Sequence, residues 1–450
     1  MEKAKKFFSL KSIDTVHTLS KITVVDKIPR RSDNWGLTWG GFISTDLFWD
    51  TRRMVDSRDG SICFYPDNIN RDVNGRDINA TPSFNMVVMN TRLTLRIESF
   101  NALGARISGM IEGWFMGISN TDMNGFAMRH AFLKMDWETT SLLIGQTWHP
   151  LFTEHCFAHT VAGSAGSPFQ PFARSPQIRL NQPFAKYSNI MLYINAQRDY
   201  LSWGRSGPST EYVRNSAIPE AGLQYIFDYK KFDEEKNPLW SLYFGLGADY
   251  KYLIPRLITA GNVYTKKGVH GGALMLFGHY EHHISSEVQF GIKAKAMVAQ
   301  NCTEQLMMGG YAIKYYDNLP LNDSANYNYT ALSNFSSWVD IYANIGSWEV
   351  GLFGGYCKNL GALNHIQDPQ NPASYFGRGR NIDFLYRIST RMKYNANKIQ
   401  FAIEPEYTVV KYGNTMTDNG TVMQSLDHGN MVKTNLVHGM RILFSTTLFF

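Results

Sequence analysis

The residues that most restrict how this chain folds are 433–450, KTNLVHGMRILFSTTLFF. Counted back in steps of two, Phe450, Leu448, Thr446, Phe444, Ile442 and Met440 form one nearly apolar face. The positions between them, Thr447, Ser445, Leu443, Arg441 and Gly439, with Asn435 further back, form a face of mostly small and polar side chains with one charge. Alternation of period two over this length predicts a long strand with two unlike environments. A strand of a water-soluble sandwich runs to about 5 or 6 residues. One that crosses a bilayer at a tilt needs about 9 to 11, with wet extensions beyond. The pattern favours a membrane-crossing strand over an edge strand of a soluble β protein.

The rest of the chain agrees. Of 450 residues, 44% are hydrophobic and 14% aromatic, yet only 18% are charged, against a usual fraction of about 25%. No stretch approaches about 18 uninterrupted apolar residues, so a membrane-spanning helix is not expected. A transmembrane barrel reconciles these facts, because its lumen face supplies polarity at every other position. The net charge of +6 is modest, and no basic cluster is interleaved with a stacking platform, so nucleic acid is not an expected partner.

Alternating stretches recur near 35–50, 86–101, 103–118, 126–138, 140–148, 176–184, 188–200 and 219–229. They continue near 239–252, 270–283, 286–300, 335–346, 347–358, 380–395, 397–412 and 433–450. The expected fold is therefore all-β, a 16-stranded antiparallel barrel over 35–450, preceded by a periplasmic segment 1–34. Short connections alternate with long ones, as they do between periplasmic turns and external loops. An even strand count returns both chain ends to one side, as closure requires. The first stretch sets Trp35, Leu37, Trp39, Ile43, Leu47 and Trp49 against Thr38, Gly40, Ser44, Asp46 and Asp50. Arginines in mid-strand, such as Arg92 and Arg96, would be prohibitive in a dry core but cost little when they line water. Arg129 shares its parity with the lipid-facing Leu133 and Trp137. That places it against a neighbouring subunit unless the register slips there. The opening MEKAKKFFSL has the charge of an export signal without the apolar run of about 7 to 15 residues that should follow. The signal peptide is expected upstream or already removed.

Two local sequences carry a resemblance. Residues 129–152 read RHAFLKMDWETTSLLIGQTWHPLF and 174–184 read RSPQIRLNQPF. The R-x-A-F-L strand, the tight turn, the L-x-I-G-Q-T-W run into a long loop and the later S-P-Q-I-R strand resemble the DcaP-like porins. The aromatic end at Phe450 likewise resembles the assembly signal of bacterial outer-membrane barrels. The resemblance implies a usually trimeric outer-membrane channel, lying among outer-membrane lipid and passing small, often anionic organic solutes. Gln146, Arg174 and Arg179 fall on matching positions, with roles implied by likeness alone. Members often carry an N-terminal helical extension, for which 1–34 is short and without heptads.

A channel breaks no bonds, so its selectivity rests on pore width and lining charge. The alternation turns twelve basic and twelve acidic strand residues inward, so arrangement must decide selectivity. The expected lining set is Arg92, Arg96, Arg106, Arg179, Lys293, Lys295, Arg387, Arg391 and Arg441 with Glu112, Glu404 and Glu406. Arg174 joins it from the loop 148–176, which follows the fifth strand and is expected to fold inward as a constriction. Arg92, Lys293, Arg387 and Arg441 reach mid-height, with Glu112, Glu404 and Glu406 at the same level. This makes a positive constriction favouring small organic anions the expected arrangement. The rival is that each arginine merely ties a neighbouring glutamate as scaffolding.

Cofactors and metals are not expected. Cys63, Cys156, Cys302 and Cys357 show no C-x-x-C spacing, and their pairing is open. His149, His155, Cys156 and His159 share a loop but show no paired spacing beyond an i, i+4 histidine pair. His279, Glu281, His282 and His283 read as solvated turn residues. A barrel hydrolase is the natural alternative, yet neither G-x-S-x-G nor H-E-x-x-H occurs. A surface adhesin would rest on the long loops, whose tyrosine-, asparagine- and glycine-rich stretches such as 322–334 are ordinary for porin exteriors. A plug of the kind TonB-dependent transporters carry needs more than residues 1–34 provide.

Overall fold

The structure, a computed structural model, describes residues 36–316, 326–423 and 434–450, apart from the side chains of Glu98 and Ser99. Trp35, Lys433 and segment 1–34 lie outside the described residues. The alternating stretches form sixteen barrel strands. The first eight are β1 Gly36–Asp50, β2 Arg92–Ala102, β3 Ala105–Trp114, β4 Ala127–Asp136, β5 Ser141–Trp148, β6 Arg174–Ala185, β7 Ser188–Asn195 and β8 Glu220–Phe232. The second eight are β9 Pro238–Leu253, β10 Val269–His283, β11 Val288–Gln300, β12 Tyr329–Ile345, β13 Trp348–Ala362, β14 Ile382–Ala396, β15 Ile399–Gly413 and β16 Thr434–Phe449. Each pairs antiparallel with its sequence neighbours. β1 closes the cylinder, pairing with β2 from Gly36 to Phe42 and with β16 from Phe42 to Asp50. Closure leaves no unpaired edge, the condition for strands in a bilayer, where backbone groups find no water. No helix among the described residues is long and apolar enough to cross a membrane.

Side-chain direction follows the alternation. Leu436, Met440, Ile442, Phe444 and Leu448 of β16 are exposed on the outside, while Val437, Arg441, Leu443, Ser445 and Thr447 are buried within. Near the short turns, outward aromatics form a girdle: Tyr187, Tyr229, Trp240 and Tyr280 follow one another at ring-centroid spacings of 4.9, 5.0 and 6.3 Å. Trp348 and Tyr394 add a pair at 4.6 Å. Amphipathic rings of this kind suit the boundary between hydrocarbon and water.

The register does slip at Arg129. The ladder between β3 and β4 pairs Glu112 with His130 and then Gly113 with Met128, skipping Arg129. The bulge turns Arg129 and His130 both inward, where both are fully buried. A bulge inserts one residue and reverses the parity beyond it, so Arg129 faces neither lipid nor a subunit.

The lumen is not uniformly hollow. After β5 the chain turns in through the short helix Pro150–Phe152, and segment 149–173 crosses to the far wall. Its aromatics make a dry core inside the barrel. Trp148 stacks on Phe152 at 4.0 Å, Phe152 on Phe157 at 5.0 Å, and Phe169 meets Phe353 at 6.1 Å. The hairpin of strands Met54–Ser57 and Ile62–Pro66, from the loop after β1, also folds inward, with Ile62–Pro66 buried against β15 and β16.

Candidate functional site

Segment 149–173 divides the lumen into a filled side and an open side. On the filled side it is bonded to β10–β15 largely through its backbone. The Val161 amide donates to Glu404 Oε2 at 2.5 Å and the His159 amide to Asp340 Oδ2 at 2.9 Å. Lys295 Nζ donates to the carbonyls of Leu151 and Phe152 at 3.0 and 2.9 Å, and Lys393 Nζ to that of His159 at 2.9 Å. Lys293 Nζ stands 2.5 Å from His159 Nε2. Burial first, then Lys293, Lys393 and Arg391, push the His159 imidazole well below its ordinary value, so it is neutral at pH 7.

Three arginines on this wall are tied in the same way. Arg391 bonds Asp340 at 2.5 Å and Glu349 at 2.7 Å, and lies flat where Gly351 has no side chain to displace it. Arg387 pairs with Glu406 at 3.5 Å and donates to the Cys63, Phe64 and Ser167 carbonyls. Arg441 holds Asp50 through two bonds of 2.8 Å and the Gly60 carbonyl at 2.6 Å. These charged groups hold two loops inside the barrel by satisfying their backbone amides and carbonyls, which would otherwise be buried without partners.

A second cluster sits at the start of the segment. Arg129 and Arg174 stack on Trp114, 4.2 and 4.3 Å from its ring centre, and Arg174 also lies 4.7 Å from Trp148. Arg129 Nε donates to Glu112 Oε1 at 2.7 Å. Arg174 is neutralised by Asp199, in the loop after β7, at 2.5 and 2.8 Å. Arg92 faces the Phe42 ring at 4.8 Å and lines a small cavity of about 120 Å³ beneath the segment.

The open side is a chamber of about 850 Å³ between the segment and the short-turn rim of β2–β9. Arg96, Arg106, Lys134 and Arg179 line it, against the acids Glu154 and Asp228. Burial pushes the His155 imidazole on its wall below the ordinary value, so His155 adds no charge at pH 7. Arg179 donates to Gln177 and to the Trp148 carbonyl at 2.9 and 2.6 Å, with Glu154 3.7 Å away.

Of the thirteen residues expected from alternation and likeness, then, Arg96, Arg106 and Arg179 meet the chamber and Arg92 the smaller cavity. Arg174 and Glu112 join the tryptophan cluster. Lys293, Lys295, Arg387, Arg391, Arg441, Glu404 and Glu406 are almost wholly buried on the filled side. Sequence reasoning missed Asp199, which lies in a loop without parity. It also missed Lys134 as a chamber residue, although its inward parity marked it. All four cysteines are buried and free.

No protein-family profile matches the sequence, and a search of curated proteins by sequence finds no match. Solved structures do match in fold. The outer-membrane channel DcaP of Acinetobacter baumannii superposes with a TM-score of 0.61 at 13% identity, over 94% of this chain and 99% of that one. The anion-selective porin of Comamonas acidovorans gives 0.49 at 11% identity, over 93% and 100%. OmpT of Vibrio cholerae gives 0.49 at 10%, over 94% and 99%. The chain has the DcaP-like porin fold, a transmembrane β-barrel of the bacterial outer-membrane type.

Proposed function

We propose that this protein is an outer-membrane porin through which small hydrophilic solutes diffuse, with small organic anions favoured. The observation that carries the reading is the chamber: a closed barrel encloses about 850 Å³ of charged, water-accessible space beside a segment folded across its lumen. Arg96, Arg106, Lys134 and Arg179 meet the solute there, and the charges buried on the filled side act as the frame that sets the width. Four basic side chains line the chamber against two acidic ones, and although Lys134 pairs with Asp136 at 2.8 Å the balance stays positive, which raises the local concentration of anions. We also propose a homotrimer, implied by the DcaP-like resemblance. Its contact would lie at the apolar hollow on the outside of β2–β5, around Ile97, Ile107, Ile111, Leu133 and Ile144.

The test is a planar bilayer in a salt gradient. Discrete conductance steps with a reversal potential on the anion side are expected. Cation preference would overturn the anion reading, and a purified, folded protein that gives no steps would overturn the channel itself. Mass measurement of the detergent-extracted protein decides the trimer.

A further inference from the structure

We propose that His149, Glu220 and Asp249 bind a divalent transition-metal ion, zinc or manganese in class, at the root of the inward segment. They come from three elements: His149 directly follows β5, Glu220 opens β8 and Asp249 lies near the end of β9. Their candidate ligand atoms all lie within 4.8 Å of one another, and all three side chains are buried. His149 Nε2 is 3.1 Å from Glu220 Oε1, and the Asn195 carboxamide is 2.9 Å from the same nitrogen.

Charge and unmet bonding both point to a cation. Lys251 is committed to Glu304. Among the described residues Glu220 has no salt-bridge partner but His149, and Asp249 has none. Tyr193 donates its hydroxyl to Asp249 Oδ2 at 2.9 Å. Asp249 Oδ1, Glu220 Oε2 and Asn195 Oδ1 are buried with no donor, and the Glu220 and Asp249 carboxyl groups lie within hydrogen-bond reach of each other. Two adjacent carboxylates in a dry site are costly unless a shared proton or a cation sits between them, and the imidazole beside them makes a cation site of the pair. One imidazole nitrogen and two carboxylates make a mixed nitrogen and oxygen set. That set suits zinc or manganese better than calcium or magnesium, which favour all-oxygen shells.

Binding has a local consequence. The Leu151 amide donates to His149 Nδ1 at 3.2 Å, capping the turn at Pro150–Phe152. A metal on Nε2 leaves the ring proton on Nδ1, so the ion replaces that cap as the tie between the segment and the wall.

The experiment uses the full chain in detergent, stripped with a chelator and titrated with Zn²⁺, Mn²⁺ or Ca²⁺. One Zn²⁺ or Mn²⁺ per chain is expected, bound more tightly than Ca²⁺ and raising the thermal transition. Glu220→Gln and Asp249→Asn should each weaken binding about tenfold or more, while His155→Ala, on the chamber wall, should leave it unchanged. Absence of stoichiometric binding, tighter binding of Ca²⁺, unaltered binding in both carboxylate variants or loss in His155→Ala would each overturn the proposal. Should the carboxylate variants fail to fold, X-ray absorption on the zinc-loaded natural protein decides. A nitrogen and oxygen shell at about 2.0–2.2 Å supports the site, and a sulfur-containing or imidazole-free shell overturns it.

Discussion

Two sides of one lumen use the same residue types differently. On the β10–β16 side, Arg387, Arg391, Arg441, Lys293 and Lys295 are nearly inaccessible, each committed to a carboxylate, a loop carbonyl or a neighbouring ring. On the β2–β9 side, Arg96, Arg106 and Lys134 stand at the edge of an open chamber. The inward direction is common to both, and only one side is wet. Whether a lumen arginine meets solute therefore depends on which loop covers it, since strand parity settles direction alone.

The comparison can be broken most forcefully at Asp340, which binds both Arg391 and the His159 amide. Asp340→Ala leaves a buried guanidinium uncompensated and should cost about 3–5 kcal/mol, seen as a lower thermal transition, with larger and noisier conductance as segment 149–173 detaches. Glu404→Gln keeps the shape and removes the charge that accepts from Val161 and Ala162. A smaller loss, about 1–3 kcal/mol, is expected by the same measurement.

Acid should act on the filled side through His159. His159 has a depressed folded value, while in the unfolded chain it titrates near about 6.5. Above that pH the ring is neutral in both states and stability does not change. Below it the unfolded chain takes up a proton that the folded site resists beside Lys293, Lys393 and Arg391, so stability falls with pH. Thermal transitions from pH 7.5 to 5 should drop further in the natural protein than in His159→Asn. The smallest structural effect belongs to the open side. Arg106 is exposed, and Arg106→Glu should change stability by less than about 0.5 kcal/mol while moving the reversal potential toward cations. If it destabilises as Asp340→Ala does, the contrast between the two sides fails.

How much of this was legible in the sequence follows from how local each signal is. β16 could be read residue by residue, because Phe444 outside and Arg441 inside are fixed by a period of two and by the solvent each face meets. Sixteen strands followed from the same rule repeated. Arg129 defeated it, since a bulge adds one residue without changing composition. The partners of the arginines were out of reach for another reason. Arg387 meets the carbonyls of Cys63 and Phe64, and Arg174 meets Asp199, through loops whose path no periodicity describes. His149, Glu220 and Asp249 show no motif spacing; the one available clue was that Asp249 points inward beside Lys251's strand neighbours.

The seam between β1 and β16 governs how the chain can be made. Ser44 meets Ser445 and Thr447 across 401 and 403 positions of sequence, and Phe450 exchanges backbone bonds with Gly41. A barrel that lacks its sixteenth strand is a sheet with two raw borders, sticky toward one another and toward other chains. Contacts this remote in sequence form slowly, so closing the seam is the step that completes the barrel. Deleting a few residues from 444–450 should therefore harm yield far more than it harms any property of the molecules that do assemble.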